Sequence, residues 1–306
     1  MRIAVMGAGS IGGYFGGMLA QGGHDITFIA RGPHLKAITD AGLRIITDRE
    51  EFTLPCDATD DPHRVGPVEL VLLTVKTYHN AQAVPAMLPM VADRTVVLCL
   101  QNGIDSYQAA VHGAGGEKVL PGAAYIEASL PQPGVVRQTG VAVRIVFGEL
   151  DGRDSARGRR IRQTLEQSGI PAQFSTDIQQ TLWSKFLFIA TMAGVTCLAR
   201  ETMAQLLPRP EWRRVIVGCM REIEAVGRAA GVNLDSQIVE STLQFIEGLL
   251  EHLHASMHAD LLAGRPLELE ALNGAVVRTG QSVGVPTPIN DVIYAALRPY
   301  AGGRQR

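Results

Sequence analysis

A doubly wound α/β domain followed by an all-helical domain is the fold this sequence predicts, and three observations carry it. Short, nearly continuous apolar runs alternate with helical patterns through the first half, as strands buried on both faces of a parallel sheet require. A glycine-rich turn, Gly7-Ala8-Gly9-Ser10-Ile11-Gly12, follows the first run and opens the first helical pattern. From Thr176 onward the apolar spacing is helical and strand candidates cease.

Taken in order, residues 3–6, 26–29, 70–75 and 96–100 read as strands. Helices fit between them at 11–21 and, interrupted by Pro85 and Pro89, at 81–91. Residues 141–147 read as a late strand and 161–168 as the helix after it. Thr176-Asp177-Ile178-Gln179 has the form of a capping box, so a helix is expected to open there. Beyond Lys185 that helix is apolar on nearly every side, as suits the centre of a bundle. A boundary near residue 175 then separates a domain of residues 1–175 from one of residues 176–306. Residues 215–230 form a long helix that could pack a dimer as easily as a core, which leaves a homodimer open. Residues 302–306 read as a frayed tail.

Composition narrows the function classes. With 306 residues, 46% of them hydrophobic and 19% charged, the chain can bury two cores. A formal net charge of -2 supplies no basic field, so neither nucleic acid nor an anionic membrane is an expected partner. Residues 186–199, bounded by Lys185 and Arg200, are too short to span a bilayer and read as a buried helix. No leader pattern precedes the first strand, and Cys56, Cys99, Cys197 and Cys219 are scattered without a C-x-x-C pair. Both point to a reducing cytoplasm and away from disulfides and zinc. His252, His254 and His258 put two histidines four residues apart on an expected helix, but no third ligand accompanies them, so a solvated face is the expectation and no metal is assigned.

The glycine turn lies where a dinucleotide fingerprint must lie, between a strand and a helix, as in a Rossmann-type domain. There the first glycine permits the tight turn, the second lets backbone approach a pyrophosphate, and the third lets helix pack on strand. An NAD-preferring site usually carries an acid at the end of the second strand to accept from the ribose hydroxyl. Here that end reads Phe28-Ile29-Ala30-Arg31, and a guanidinium at Arg31 suits the 2′-phosphate of NADP(H). Lys76, at the end of the buried run 70–75, would face the same ligand crevice.

The lysines are few. Against 24 arginines stand only Lys36, Lys76, Lys118 and Lys185. An arginine stays protonated, whereas a lysine among apolar walls has a lowered pKa and can act as a general acid near neutrality. Lys185, where the capped helix turns apolar, is the candidate.

In their order and spacing these residues resemble the ketopantoate reductase family over nearly the whole chain. The matching motifs are Gly7 to Gly12, Val75-Lys76, Leu100-Gln101-Asn102-Gly103, Leu182-Trp183-Ser184-Lys185-Phe186, Ser256-Met257 with Glu268, Asn273 and Gly274, and the segment from Gly284 to Asn290. The resemblance implies a Rossmann domain, a helical domain of the 6-phosphogluconate dehydrogenase C-terminal-like kind, and an active site in the cleft between them. It implies NADPH-dependent reduction of a small 2-oxo acid, ketopantoate above all, in pantothenate biosynthesis. It assigns Lys185 as proton donor to the nascent alkoxide, with Glu268 beside it touching substrate and cofactor. Asn102 and Ser256 then bind substrate, Asn102 also reaches the cofactor, and Ala128 offers a backbone contact to the cofactor. One departure touches the substrate: where the family enzyme most often described has asparagines four and eight residues beyond the lysine, this chain has Ile189 and Ala193. A reductase of a different, more apolar 2-oxo acid on the same scaffold is therefore an alternative. A NADPH-binding sensor without turnover is another, against which the pairing of Lys185 with Glu268 argues.

Overall fold

The computed structural model describes residues 1–250 and 253–303, with the backbone but not the side chain of Val141. It divides into two compact units, Met1–Gln101 with Ser106–Ile178, and Asn102–Asp105 with Gln179–Arg306.

The first unit runs β1 (Arg2–Met6), α1 (Ser10–Gln21), β2 (Asp25–Ile29), α2 (Gly32–Ala41), β3 (Leu43–Ile46), β4 (Glu51–Leu54) and β5 (Asp57–Thr59). It continues through β6 (Leu70–Leu73), α3 (Asn80–Met87), β7 (Val96–Cys99), α4 (Gln108–Ala114), β8 (Val119–Gln132), β9 (Val135–Gly148), α5 (Ala156–Gln167) and β10 (Ala172–Ser175). The sheet order is β4-β3-β9-β8-β7-β6-β1-β2-β5, with β10 paired to β9. β1 lies between β2 and β6 and is parallel to both, with Met6 opposite Ile29 on one side and Leu73 on the other. The chain leaves β1 toward β2 and later crosses to β6, so the strand order reverses at β1, the place where open α/β sheets bind ligands. Ile3, Val5, Phe28, Leu70, Leu72 and Leu98 are buried there, which is why β1, β2, β6 and β7 read as apolar runs.

Of the strands that the pattern missed, β3, β4, β5 and β10 have no such run, whereas β8 opens with six buried residues whose apolar run is broken by Pro121 and Gly122. β3 and β4 alternate buried or half-buried with exposed residues, and β5 has only three residues. The expected strand at 141–147 is the second half of a longer β9, which pairs antiparallel with β8 through two register shifts.

The second unit is helical: α6 (Ile178–Ala199), α7 (Met203–Leu206), α8 (Pro210–Ala229), α9 (Ile238–Gly248), α10 (Ser256–Leu262), α11 (Asn273–Val283) and α12 (Pro288–Leu297). No strand occurs among its described residues. Since α6 begins at Ile178, the cap position falls on Asp177 rather than on Thr176. By length and composition all of α6 is apolar enough to cross a membrane, which residues 186–199 alone are not. Its apolar surface is instead packed in a core, where Trp183, Phe186, Leu187, Ala190 and Val195 are buried. α8 likewise turns Ile216, Cys219, Met220, Ile223 and Val226 inward. His254 precedes α10, so it does not share a helix with His258 as the spacing suggested, and His252 lies outside the described residues. Among the described residues no group of three potential metal ligands occurs. Of the tail, residues 304–306 lie outside the described residues too.

A carboxylate secures the start of α12. Glu222 accepts from the backbone N–H of Ile289 at 2.8 Å, from that of Asn290 at 3.0 Å and from the Asn290 side-chain amide at 2.7 Å. Asn290 in turn accepts from the buried Asn273 amide at 2.9 Å. A negative charge at a helix N-terminus is favourable, and its removal strands several donors. Glu222→Ala should lower the unfolding free energy by about 2–4 kcal/mol, and Glu222→Gln, which keeps an acceptor, by roughly half that. Denaturant unfolding reads both, and a loss below about 1 kcal/mol for the alanine variant would show that the cap contributes little.

Candidate active site

The glycine turn in the first unit has the geometry that its spacing implies. Gly7 takes φ +107°, and a Cβ there would meet the Val75 backbone nitrogen at 2.8 Å. Gly12 packs where a Cβ would overlap the Gly7 carbonyl oxygen and the Thr74 hydroxyl, and that hydroxyl donates to the same carbonyl at 2.7 Å. Gly9 differs, because a Cβ there would meet nothing within 4 Å. It is also the N-cap of α1, with no side-chain cap, so the helix opens into free space at this residue. Ala8 is buried, and Ser10 and Ile11 start α1. A helix N-terminus with an open glycine in front of it is built to receive an anionic group.

Two cationic residues lie at the carboxyl ends of the strands flanking β1. Arg31, exposed, follows β2 and caps α2 from an extended conformation. Lys76, half-buried, follows β6. Neighbouring strands lie about 4.8 Å apart, so the glycine turn, Arg31 and Lys76 sit at one end of one group of parallel strands. Arg31 also lies near His79, whose pKa is lowered by burial and by the guanidinium. Ala128 is half-buried on β8 opposite Gln138. These residues could hold a dinucleotide, the open space at Gly9 admitting a phosphate and Arg31 and Lys76 supplying positive charge nearby.

The second unit brings together three of the four residues expected to act on substrate. Lys185, in the second turn of α6, donates from Nζ to Asn102 Oδ1 at 2.9 Å. Asn102 lies just beyond β7, in the tetrapeptide Asn102–Asp105 that clusters with the helices, and the Ile104 side chain of that tetrapeptide is buried in the helical core. Burial lowers the Lys185 pKa to about 8, and the negative charge of Glu268 opposes the shift. Glu268 is 5% exposed. It lies five residues ahead of α11, beyond the first turn where a helix dipole would account for a carboxylate. Ser256 is exposed at the first residue of α10. Ile189 and Ala193 follow Lys185 by one and two turns of α6, half-buried and buried respectively.

Two residues that the sequence did not single out support these sites. Gln101 donates to the Val75 carbonyl at 2.7 Å and to Asn80 Oδ1 at 2.6 Å, bracing the segment that carries Lys76. His34 bridges the glycine turn and the β8–β9 turn. Gln101 stood inside a matched motif, whereas His34 had no signal beyond its place one turn after Arg31.

The family model described as ketopantoate reductase PanE/ApbA matches residues 3–152, and that of its C-terminal part matches residues 177–301. The chain belongs to the ketopantoate reductase family. A 2-dehydropantoate 2-reductase of Mesorhizobium japonicum is 30% identical over 98% of each chain. The crystal structure of a PanE/ApbA family ketopantoate reductase from Ralstonia eutropha JMP134 superposes with a TM-score of 0.91 at 30% identity, covering 98% of each chain. D-mandelate dehydrogenase in a ternary structure with NADH and anilino(oxo)acetate superposes with a TM-score of 0.90 at 25% identity, again over 98% of each chain. This member of the ketopantoate reductase family is thus a nicotinamide-dependent oxidoreductase that reduces 2-oxo acids.

The lowered pKa of Lys185 can be observed directly, because the chain has only four lysines. In an NMR titration of isotope-labelled lysine, one resonance should titrate near pH 8. Glu268→Gln should move that midpoint lower still, since the carboxylate acts to raise it. Between about pH 8 and the ordinary value of 10.5 the folded chain then binds fewer protons here than the unfolded chain. This group therefore makes the fold more stable as pH rises through that window, relative to Lys185→Met. Four midpoints all above 10 would remove the perturbed ammonium.

Proposed function

We propose that the protein reduces ketopantoate to pantoate with NADPH, Lys185 giving the proton. The observation that carries this reading is the Lys185 ammonium, hydrogen-bonded to Asn102, near Glu268, and tuned to about 8. When bound, the dihydronicotinamide supplies hydride to the C2 carbonyl. Hydride addition turns a ketone into an alkoxide, and an ammonium beside the oxygen both stabilises and protonates it. Lys185 releases its proton to that oxygen, becomes a neutral amine and is recharged from solvent. Glu268 keeps Lys185 from losing its proton too early, because its charge favours the ammonium. Asn102 fixes the direction of Nζ with Oδ1 and keeps its amide N–H groups for substrate and cofactor. Ser256 binds the substrate, Gly7 to Gly12 hold the pyrophosphate, Arg31 and Lys76 the adenosine phosphate side, and Ala128 contributes backbone.

A second substrate reading is favoured by Ile189 and Ala193. Both follow Lys185 on its own face of α6 and offer no partner to a substrate hydroxyl. An apolar pocket rejects an added hydroxyl only weakly, whereas a site built to bond one strongly rejects its absence. Ketopantoate is then reduced with little advantage over the branched 2-oxo acid that lacks its hydroxyl. The test is NADPH consumption over a panel of 2-oxo acids. We expect kcat/KM for these two to agree within about tenfold, and turnover to fall by roughly 10²–10⁴-fold in Lys185→Ala. Preference for ketopantoate by several orders of magnitude would assign its hydroxyl another partner. Unchanged turnover in Lys185→Ala would remove the lysine from the chemistry.

Preference for the phosphorylated cofactor rests on Arg31, since the mandelate dehydrogenase with the same fold holds NADH. Loss of one charge-assisted contact is worth about 1.5–3 kcal/mol. Arg31→Ala should therefore weaken NADPH binding by about one to two orders of magnitude and leave NADH binding nearly as it was. Equal losses for both cofactors, read by fluorescence titration, would show that Arg31 does not read the phosphate.

A further inference from the structure

His34 stands near the start of α2, outside every motif that led to the cofactor site. Its two ring nitrogens each have a backbone partner. The Gly134 N–H lies 2.9 Å from Nδ1, and the Ala8 carbonyl oxygen lies 2.6 Å from Nε2. An amide can only donate, so Nδ1 must accept and carries no proton. Nε2 therefore holds the hydrogen and donates it to Ala8. The pair of contacts fixes one neutral tautomer, and burial, which lowers the His34 pKa, agrees with a neutral ring.

The partners are not equivalent. Ala8 is the second residue of the glycine turn. In a trans peptide the carbonyl of one residue and the N–H of the next point in opposite directions. With its oxygen drawn toward His34, the Ala8–Gly9 peptide turns the Gly9 N–H the other way, and Gly9 is where the turn opens into free space. Gly134 anchors the opposite end. It sits in the β8–β9 turn at φ +77°, so tightly against α2 that a Cβ would meet Ala37 Cβ at 2.9 Å. β9 is held in turn against α1, where a Cβ on Gly13 would meet Val136 Cγ2 at 2.7 Å. The ring thus spans a firm hairpin and the Ala8–Gly9 peptide, whose orientation decides where the Gly9 N–H points.

We propose that His34 is a positioning residue for the cofactor pyrophosphate, its Nε2–H orienting the Ala8–Gly9 peptide so that the Gly9 N–H meets the phosphate. The proposal rests on the reading of Gly7 to Gly12 as the dinucleotide site. Side chains of graded chemistry separate the two. Glutamine can place an amide donor near the Nε2 position, asparagine can place its carbonyl oxygen near Nδ1 but is too short to bring a donor to the Nε2 position, and leucine keeps neither. His34→Leu and His34→Asn should each raise the dissociation constant of NADPH by at least tenfold and raise the cofactor KM in step, while kcat at saturating cofactor falls much less. His34→Gln should recover most of the affinity. Each is measured at a temperature at which circular dichroism shows the variant folded, so that lost stability does not count as lost binding. A His34→Leu protein that binds NADPH as the wild type does overturns the proposal, as does equal weakening by glutamine and leucine. Gly9→Val, which fills the open space in front of α1, is the control for the site itself. If it leaves NADPH binding intact, the dinucleotide reading fails. If it abolishes binding while His34→Leu does not weaken it, only the role of His34 fails.

Discussion

A half-buried ammonium held among the helices is the constraint on which the second unit depends. Desolvation alone would drive Lys185 toward the neutral amine, and a nearby carboxylate alone would hold it firmly charged. Glu268 and burial act in opposite directions on the same nitrogen and leave it near 8, within reach of both protonation states at ordinary pH. Neither influence belongs to α6 by itself. α6 supplies the apolar walls, the segment before α11 supplies the carboxylate, and the tetrapeptide after β7 supplies the oxygen that directs Nζ. An arginine at this position would keep its charge throughout and have no proton to give.

The first unit solves a different problem with backbone instead of side chains. Parallel strands end together, and the reversal at β1 leaves room above it that a crossover helix does not cover. The three glycines of the turn are placed for three reasons that can be told apart: a positive φ at Gly7, a close approach at Gly12 and open space at Gly9. Only the last leaves open space in front of α1, and the other two hold it in place.

How much of this was legible follows from the range of each interaction. Strands buried on both faces leave an apolar run, so β1, β2, β6 and β7 could be read, whereas β3, β4 and β5 at the sheet margins are short or half-exposed and leave none. The glycine turn was readable because its constraint is local, set by φ and by the strand and helix on either side. Lys185 stood out through the scarcity of lysine and the apolar helix around it. Glu268 did not, since its proximity to Lys185 is made by folding, and only the family resemblance pointed to it. His34 was invisible for the same reason: its partners lie 26 and 100 residues away. The two histidines four residues apart mislead because spacing says nothing unless a helix holds it, and α10 starts two residues after His254.

The tetrapeptide Asn102–Asp105 has a consequence for how such a protein can be taken apart. Its neighbours in sequence belong to the first unit, but it lodges with the helices and buries Ile104 among them. A gene fragment beginning at α6 would encode the lysine without the oxygen that directs it, and with an unfilled place where Ile104 packs. The two units are therefore not interchangeable modules. A chimera that grafts the helical half of one relative onto the sheet half of another mixes two ancestries inside a single hydrogen bond, and a change at Lys185 is felt by a loop coded 83 residues upstream.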